Sequence, residues 1–382
     1  MKQRRWLLPI IVFVLSALLL DACSFSVEIL STPTSSPPTA TPIPPTFTPV
    51  PPTAIVPSVT PTLISIRADT MSMLEIFSSI GEGESVRSLA FTPDDTVLAA
   101  AGGNTEDFAI HVWDVANGEP IGTLGGHTGI VWDLAFSPDG EMLASVSSDG
   151  TAQIRDWRNG DILKTLNFPG EVASVSFSPD GRRLAVGGVD EAQMQTAAVW
   201  IFSVDSWEPL IKIPERLNIG AMAYSPNGRL LVGGGTSRDV QVWRTSDGTS
   251  IFTLSHAHPI TDVAISPDSS TAATATCAYA VDDECTEGGV WVWNLSTGRL
   301  IVRLGDFPDV VEGVAFSPDG SSLIAASRGG RLRVYTTSDY QPVFKATPSG
   351  GNGIMTLSPD GGLLATGNDN GQVHLWKVVY RP

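Results

Sequence analysis

The sequence predicts an all-β protein, a seven-bladed β-propeller with four-stranded antiparallel blades, and three observations support that prediction. The turn Ser-Pro-Asp-Gly, or a close variant, occurs seven times between Pro93 and Pro359. The prolines of successive copies stand 45, 41, 47, 41, 51 and 41 residues apart, and a period near forty is typical of propellers and solenoids. Short apolar runs of strand length recur on both sides of each turn.

Each copy of the turn is expected to join two antiparallel strands, because proline presets φ, Asp or Asn tolerates the next position and Gly accepts the positive φ that follows. Residues 131–136 and 142–145 are one such strand pair. A third strand recurs as an apolar alternation ending in an aromatic residue, as at 240–243 and 373–376, and a fourth follows, as at 162–166. Four strands in each of seven repeats define the propeller.

The last repeat predicts how the ring closes. Its third strand spans residues 373–379 and leaves no room for a fourth. Residues 74–79 lie just before the first blade and have the right length, so we expect them to complete the seventh blade as an N-terminal clasp. Such closure removes exposed strand edges.

From about residue 73 to its end the chain resembles the WD-repeat family. The Trp-Asp pair stands at Trp113-Asp114, and a Gly-His pair stands at Gly126-His127. Three blades depart from the family pattern at the third-strand Trp, which is replaced by Arg155, Phe202 and Tyr335. The resemblance implies a non-enzymatic scaffold that binds a protein or peptide partner through one face of its ring.

The N-terminus predicts three segments: a lipoprotein-type signal at 1–23, a Pro/Thr-rich disordered stalk at 24–65 and the propeller at 66–382. Basic residues precede an apolar run at 6–20, which is short for a membrane span and suits a signal peptide. Leu20, Ala22 and Cys23 resemble a bacterial lipoprotein box, in which Cys23 is lipidated. An uncleaved anchor and a plain secretory signal remain alternatives. We therefore expect a membrane-anchored lipoprotein of a bacterial cell envelope, facing outside the cytoplasm.

The charge and the residue composition limit the kinds of partner and ligand that the protein is expected to bind. The net charge of −17 disfavours nucleic acid and anionic membrane surfaces, so membrane attachment is expected only through the N-terminal lipid or anchor. No phosphate-binding glycine loop or zinc-ligand cluster occurs, and we expect no cofactor, no metal and no catalytic residues. The propeller is expected to be monomeric.

Cys277 and Cys285 are expected to form a disulfide, with two free thiols as the alternative. A metal pair is disfavoured because no further Cys or neighbouring His supplies ligands. The residues around them belong to one of three long connections between second and third strands. These connections occur in blades one, three and five, where the distance from the first apolar residue of the second strand to the third-strand aromatic is fifteen, eighteen and twenty-one residues, against twelve elsewhere.

The three long connections are acidic and, by the family resemblance, stand on the face commonly used for partners. Their candidate partner-binding residues are Glu106, Asp107, Asp190, Glu191, Asp282 and Asp283. Carboxylates there could recognise a basic protein surface, or calcium in the third connection, or could serve solubility alone.

The same resemblance places one residue near the start of each first strand on that face. These rim positions are Arg87, Trp132, Ala173, Gly220, Thr261, Glu312 and Gly353. We select Arg87, Thr261 and Glu312 as further partner-binding candidates, together with Trp132. A rim Trp could anchor a partner or pack against a neighbouring loop.

Two constellations resemble catalytic or metal sites. His127, Ser145 and Asp149 could be read as a Ser-His-Asp set, but in WD-repeat blades these positions form a structural hydrogen-bond network. His256 aligns with His127, which favours a structural role over metal binding. The alternative to a scaffold is a propeller hydrolase or small-ligand-binding propeller acting at the central channel mouth; a structural envelope component is a third possibility.

Overall fold

The computed structural model describes residues 74–80, 85–102, 108–190, 196–215, 219–281, 284–346 and 351–378. The chain divides into two units, residues 1–44 and 45–382, and every described residue lies in the second. The predicted signal segment with Cys23 and the predicted stalk at 24–65 lie outside the described residues. Among those that are described, no helix is long and apolar enough to cross a membrane.

The described residues form 28 strands in seven four-stranded antiparallel sheets, as the sequence predicts. Blades one and two contain β2 (Val86–Phe91), β3 (Val97–Gly102), β4 (Ile110–Asp114), β5 (Pro120–Leu124), β6 (Val131–Phe136), β7 (Met142–Ser147), β8 (Thr151–Asp156) and β9 (Ile162–Asn167). Blades three and four contain β10 (Val172–Phe177), β11 (Arg183–Val189), β12 (Ala197–Ser203), β13 (Pro209–Glu215), β14 (Ile219–Tyr224), β15 (Leu230–Gly235), β16 (Asp239–Arg244) and β17 (Ser250–Ser255).

Blades five and six contain β18 (Ile260–Ile265), β19 (Thr271–Val281), β20 (Glu284–Asn294), β21 (Arg299–Phe307), β22 (Val311–Phe316), β23 (Ser322–Ser327), β24 (Leu332–Thr336) and β25 (Pro342–Ala346). Blade seven contains β26 (Gly351–Leu357), β27 (Leu363–Asn368), β28 (Val373–Val378) and β1 (Leu74–Ile80).

The blades form a closed ring around their first strands. Each first strand contacts the first strand of the next blade, and β26 of blade seven contacts β2 of blade one. The apolar cores lie between neighbouring blades: Val242 of blade four, for example, shares one cluster with Trp293 of blade five. No blade buries its apolar face alone, which is the energetic reason for the repeat.

The predicted clasp is confirmed. Strand β1 pairs antiparallel with β28, from Leu74 opposite Val378 to Ile80 opposite Val373. The chain thereby supplies the outer strand of its last blade from its own N-terminal side.

The repeated turn has the predicted chemistry. In blade two the Ser137 hydroxyl donates to the Asp139 carboxylate at 2.5 Å and accepts from the Met142 N–H at 2.9 Å. Gly140 has φ of 72°, the left-handed conformation that a glycine adopts without strain. The side chains therefore hold each hairpin at the end of its first strand.

Blade five departs from the others in one respect that the sequence reading missed. Strands β19 and β20 are eleven residues long, so the long connection expected there is largely an extension of the sheet. Strand β18 ends its pairing with β19 at Ile260 opposite Thr276, and β19 continues past it. The disulfide predicted between Cys277 and Cys285 is present in this extension, with Cα atoms 5.7 Å apart.

Candidate functional site

A polar cavity of about 340 Å³ lies at the centre of the ring, and all seven first strands contribute to its wall. Five of the seven predicted rim positions line it: Arg87, Trp132, Gly220, Thr261 and Glu312. These residues come near the starts of their strands, whereas the Ser-Pro-Asp-Gly turns follow the strand ends. The rim positions and the turns therefore mark opposite faces of the ring. We call the end of the cavity that the rim positions line its mouth.

Arg87 and Trp132 join two blades at this mouth. The Arg87 guanidinium carbon lies 5.7 Å from the centre of the Trp132 ring, within range of a cation–π interaction. Arg87 is exposed and Trp132 is half-buried. The pair presents a cation and an aromatic surface to solvent from one place.

Thr261 and Glu312 lie on the blade-five and blade-six side of the mouth. The Thr261 hydroxyl donates to the Val311 carbonyl at 2.5 Å. The Glu312 carboxylate forms an ion pair with Arg328, whose side chain is largely exposed. Burial raises the pKa of Glu312, and the Arg328 charge opposes that rise. Both residues are thus engaged within the ring while they line its cavity.

Asp133 and Asp262 are two further residues of the cavity wall, which we did not predict from the sequence. The Asp133 carboxylate accepts hydrogen bonds from Ser88 Oγ at 3.0 Å and Ser174 Oγ at 3.2 Å, so it bridges blades one, two and three. Asp262 accepts from the Val314 N–H at 2.8 Å and bridges blades five and six.

Burial raises the pKa of both carboxyls, to about 6 at Asp133 and about 7 at Asp262, against hydrogen bonds that favour the charged form. The signal was a charged residue inside each of two apolar strands, β6 and β18. That these carboxylates bridge neighbouring blades could not be predicted from it, because the bridge depends on contacts between repeats.

The acidic connections are described only in part. Glu106, Asp107, Glu191, Asp282 and Asp283 lie outside the described residues. Asp190 is described, and its carboxylate accepts a hydrogen bond from Lys212 Nζ at 2.7 Å within its own blade. Its charge is therefore already partly neutralised.

The His127 constellation is a structural network in the described structure. His127 Nδ1 lies 2.9 Å from an Asp149 carboxylate oxygen, and Nε2 lies 2.8 Å from the Ser145 hydroxyl. Burial lowers the pKa of His127, which favours the neutral imidazole. Ser145 is fully buried, so no substrate reaches its hydroxyl.

Arg155 occupies the position where the family has Trp and is only 2 % exposed. Its Nη2 donates to the Gly125 carbonyl at 2.6 Å and to the Gln153 side chain, but its buried Nε has no hydrogen-bond partner. No described carboxylate forms an ion pair with it. The blade-two network thus includes a buried cation without a counter-charge.

His256 has the equivalent role in blade five. Its Nε2 lies 2.8 Å from Thr274 Oγ1, which also accepts a hydrogen bond from Trp293 Nε1 at 3.3 Å. Burial lowers the pKa of His256 to about 4. Within the described residues no group of three or more His, Cys, Asp or Glu is arranged to hold a metal ion.

Comparisons with known families agree with this architecture. The model of the WD domain, G-beta repeat family matches residues 75–114, 118–156, 300–336 and 342–377. A second family model, that of the eukaryotic translation initiation factor eIF2A, matches residues 154–307. The chain is a WD-repeat β-propeller.

Among curated proteins the chain is similar to two kinds of fungal protein. Eukaryotic translation initiation factor 3 subunit I of Emericella nidulans is 29 % identical over 49 % of this chain and 58 % of the relative. A periodic tryptophan protein 2 homologue of Schizosaccharomyces pombe is 27 % identical over 72 % of this chain and 35 % of the relative. The matched region spans less than two thirds of either relative's length.

The comparisons correct the predicted location. The sequence reading places the protein in a bacterial cell envelope as a lipoprotein, whereas the similar proteins are eukaryotic translation initiation factor subunits and periodic tryptophan protein 2 homologues. The localisation prediction is therefore wrong. It depended on the basic residues and the apolar run at 6–20, and on a short motif, Leu20, Ala22 and Cys23, in which Asp21 departs from the usual pattern.

Proposed function

We propose that this protein is a non-enzymatic interaction scaffold that binds a protein or peptide partner through the channel-mouth face, the face of the ring that carries Arg87, Trp132, Thr261 and Glu312. The ring supplies a rigid frame because every blade is packed between two others. The similar proteins support a partner that is a protein, without identifying it, because one of them is by name a subunit of a larger factor.

The observation that carries this proposal is the Arg87–Trp132 pair. An exposed guanidinium lies 5.7 Å from a half-buried indole at the mouth of the central cavity. Trp and Arg are the side chains most enriched at the energetic centres of protein interfaces. The opposite face carries the repeated turns, whose Ser and Asp side chains are occupied with holding their own hairpins.

The set of His127, Ser145 and Asp149, which resembles a catalytic triad, does not support the alternative that the protein is a hydrolase. Ser145 and His127 are buried, and their hydrogen bonds tie the entry of blade two to its sheet. A buried hydroxyl of this kind stabilises the blade instead of attacking a substrate.

The test is photocrosslinking from the two faces of one blade. A photoreactive amino acid replaces Trp132 on the channel-mouth face or, as the matched control, the exposed Glu141 beside the opposite-face turn. In an extract of the source organism we expect a defined set of proteins to be captured at least about fivefold more efficiently from position 132. Equal capture from both positions would refute the proposed face.

A further inference from the structure

Blade five carries an arm that no other described blade has. We define the arm as residues 277–281 and 284–288, where β19 and β20 pair only with each other, apart from the contact of Gly288 with Phe307 at its base. At about 3.3 Å per residue it extends roughly 15 Å beyond the start of β18, on the channel-mouth face. A free two-stranded ribbon is marginally stable in water. The Cys277–Cys285 disulfide cross-links this one.

Two side chains stand opposite each other on the two strands of the arm. Tyr279 and Glu287 are Cα register partners, with a register irregularity on either side of Tyr279. Directly opposed residues of an antiparallel pair have Cβ atoms about 5 Å apart, so both side chains can reach one ligand. Tyr279 is 60 % exposed and Glu287 is also exposed. Among the described residues neither of them contacts a cation.

The protein uses the same pairing elsewhere to hold its own cations. Arg333 lies over the Phe307 ring at 4.8 Å and donates to the Asp306 carboxylate at 2.6 Å. Lys212 lies 5.8 Å from the Trp200 ring and donates to Asp190 at 2.7 Å. In both places an aromatic ring and an adjacent carboxylate contact the same basic side chain.

We propose that Tyr279 and Glu287 form a receptor for an arginine side chain of a basic protein partner. A guanidinium can stack on the phenol ring and donate to the carboxylate beside it, and its planar fork suits this geometry better than an ammonium. Charge complementarity favours such a partner, because the run from Cys277 to Gly288 contains four acidic residues and no Lys, Arg or His. The receptor would be a second contact on the channel-mouth face. It rests on the proposed function, which supplies the class of partner.

The test uses the full chain in its oxidised form and a fluorescent nonapeptide that repeats Gly-Ser-Arg three times. Fluorescence anisotropy compares it with the same peptide carrying citrulline, which keeps the shape of arginine and removes its charge. We expect Tyr279→Ala and Glu287→Gln each to weaken the affinity for the arginine peptide about two- to fivefold, and the double variant to weaken it about tenfold. Tyr279→Phe should bind like the wild type. All four variants alter exposed side chains, so the fold should be retained.

Two controls decide between the arm and the general acidity of the protein. Glu141→Gln removes one exposed carboxylate on the opposite face and should leave binding unchanged. The citrulline peptide is the second control and should bind more weakly than the arginine peptide. The peptide assay does not involve the crosslinked partner, so a failure of the proposed channel-mouth anchor and a failure of the arm receptor are separable. The inference is overturned if Glu141→Gln weakens binding as much as Glu287→Gln, if Tyr279→Ala has no effect, or if the citrulline peptide binds equally well.

Discussion

The Asp262 carboxylate on β18 accepts a hydrogen bond from the Val314 backbone N–H on β22 at 2.8 Å, so one side chain joins the first strands of blades five and six. Its other oxygen accepts from the Val263 N–H at 2.8 Å. The carboxylate is buried in the channel wall, close to the negative charges of Asp133 and Glu312. Contacts between blades at the channel are therefore polar as well as apolar.

This bridge predicts a pH dependence of stability. Burial raises the pKa of Asp262 to about 7 in the folded protein, above its ordinary value near 4. The group's contribution to stability is therefore fully present below about pH 4 and is lost as the pH rises through about 7. Asp262→Asn has no such titration. Melting temperatures measured between pH 4 and 7.5 should show the wild type losing stability relative to Asp262→Asn as the pH rises, and a constant difference would contradict the bridge's raised pKa.

Replacing Arg155 by Trp should stabilise the protein. The substitution removes a buried cation without a counter-charge and restores the aromatic that caps the His network, as Trp293 does beside His256. We expect a gain of about 1–3 kcal/mol in the free energy of unfolding, measured by urea denaturation. The control is Arg333→Met, at a buried Arg that is paired with Asp306, which should destabilise. A loss of stability in Arg155→Trp would show that its hydrogen bonds to Gly125 and Gln153 outweigh the burial of its charge.

Asp95 stands where five of the seven turns have Gly, and its φ is 61°. A residue with a side chain is strained there by about 1 kcal/mol. Burial and the nearby Asp360 charge also raise the pKa of Asp95 to about 6, a further cost at neutral pH. Asp95→Gly should therefore raise the melting temperature at pH 7.5. The matched control is Gly181→Ala, at φ of 70°, where the added methyl would meet only Pro138 Cδ at an ordinary contact distance of 3.8 Å and which should lower the melting temperature.

Deleting residues 73–80 should destabilise the whole ring. Strand β1 is the outer strand of blade seven, and its loss exposes the edge of β28. We expect the melting temperature to fall by at least about 5 °C, since 1 kcal/mol corresponds to about 2 °C in a large domain. Calorimetry of the deletion variant checks this, and an unchanged melt would mean that the clasp contributes no stability.

The repeat made most of the fold predictable. The turn at Ser137–Gly140 and its six counterparts are encoded locally, because Pro, Asp and Gly act on their own backbone. The clasp followed from counting strands, since the seventh repeat has no fourth strand of its own to pair with the outer edge of β28. The eleven-residue length of β19 was missed, although the Ala-Thr alternation at 273–276 is typical of a strand and the run on to Val281 contains no Gly or Pro.

The candidate site was predictable only in outline. Arg87, Trp132, Thr261 and Glu312 were placed on one rim by their common position in the repeat. The proximity of Arg87 to Trp132 depends on the angle between blades one and two, and the bridge from Asp133 depends on Ser88 and Ser174 in two other repeats. Such contacts between repeats leave no pattern within a single repeat.

Hydrogen–deuterium exchange of the full chain bound to its crosslinked partner measures whether the partner covers the channel-mouth face. We expect slowed exchange at the starts of the first strands, around residues 86–88, 131–133, 260–262 and 311–313, with unchanged exchange at the Ser-Pro-Asp-Gly turns. Protection confined to the turns, or to the outer strands, with none at the channel mouth, would contradict the proposed face.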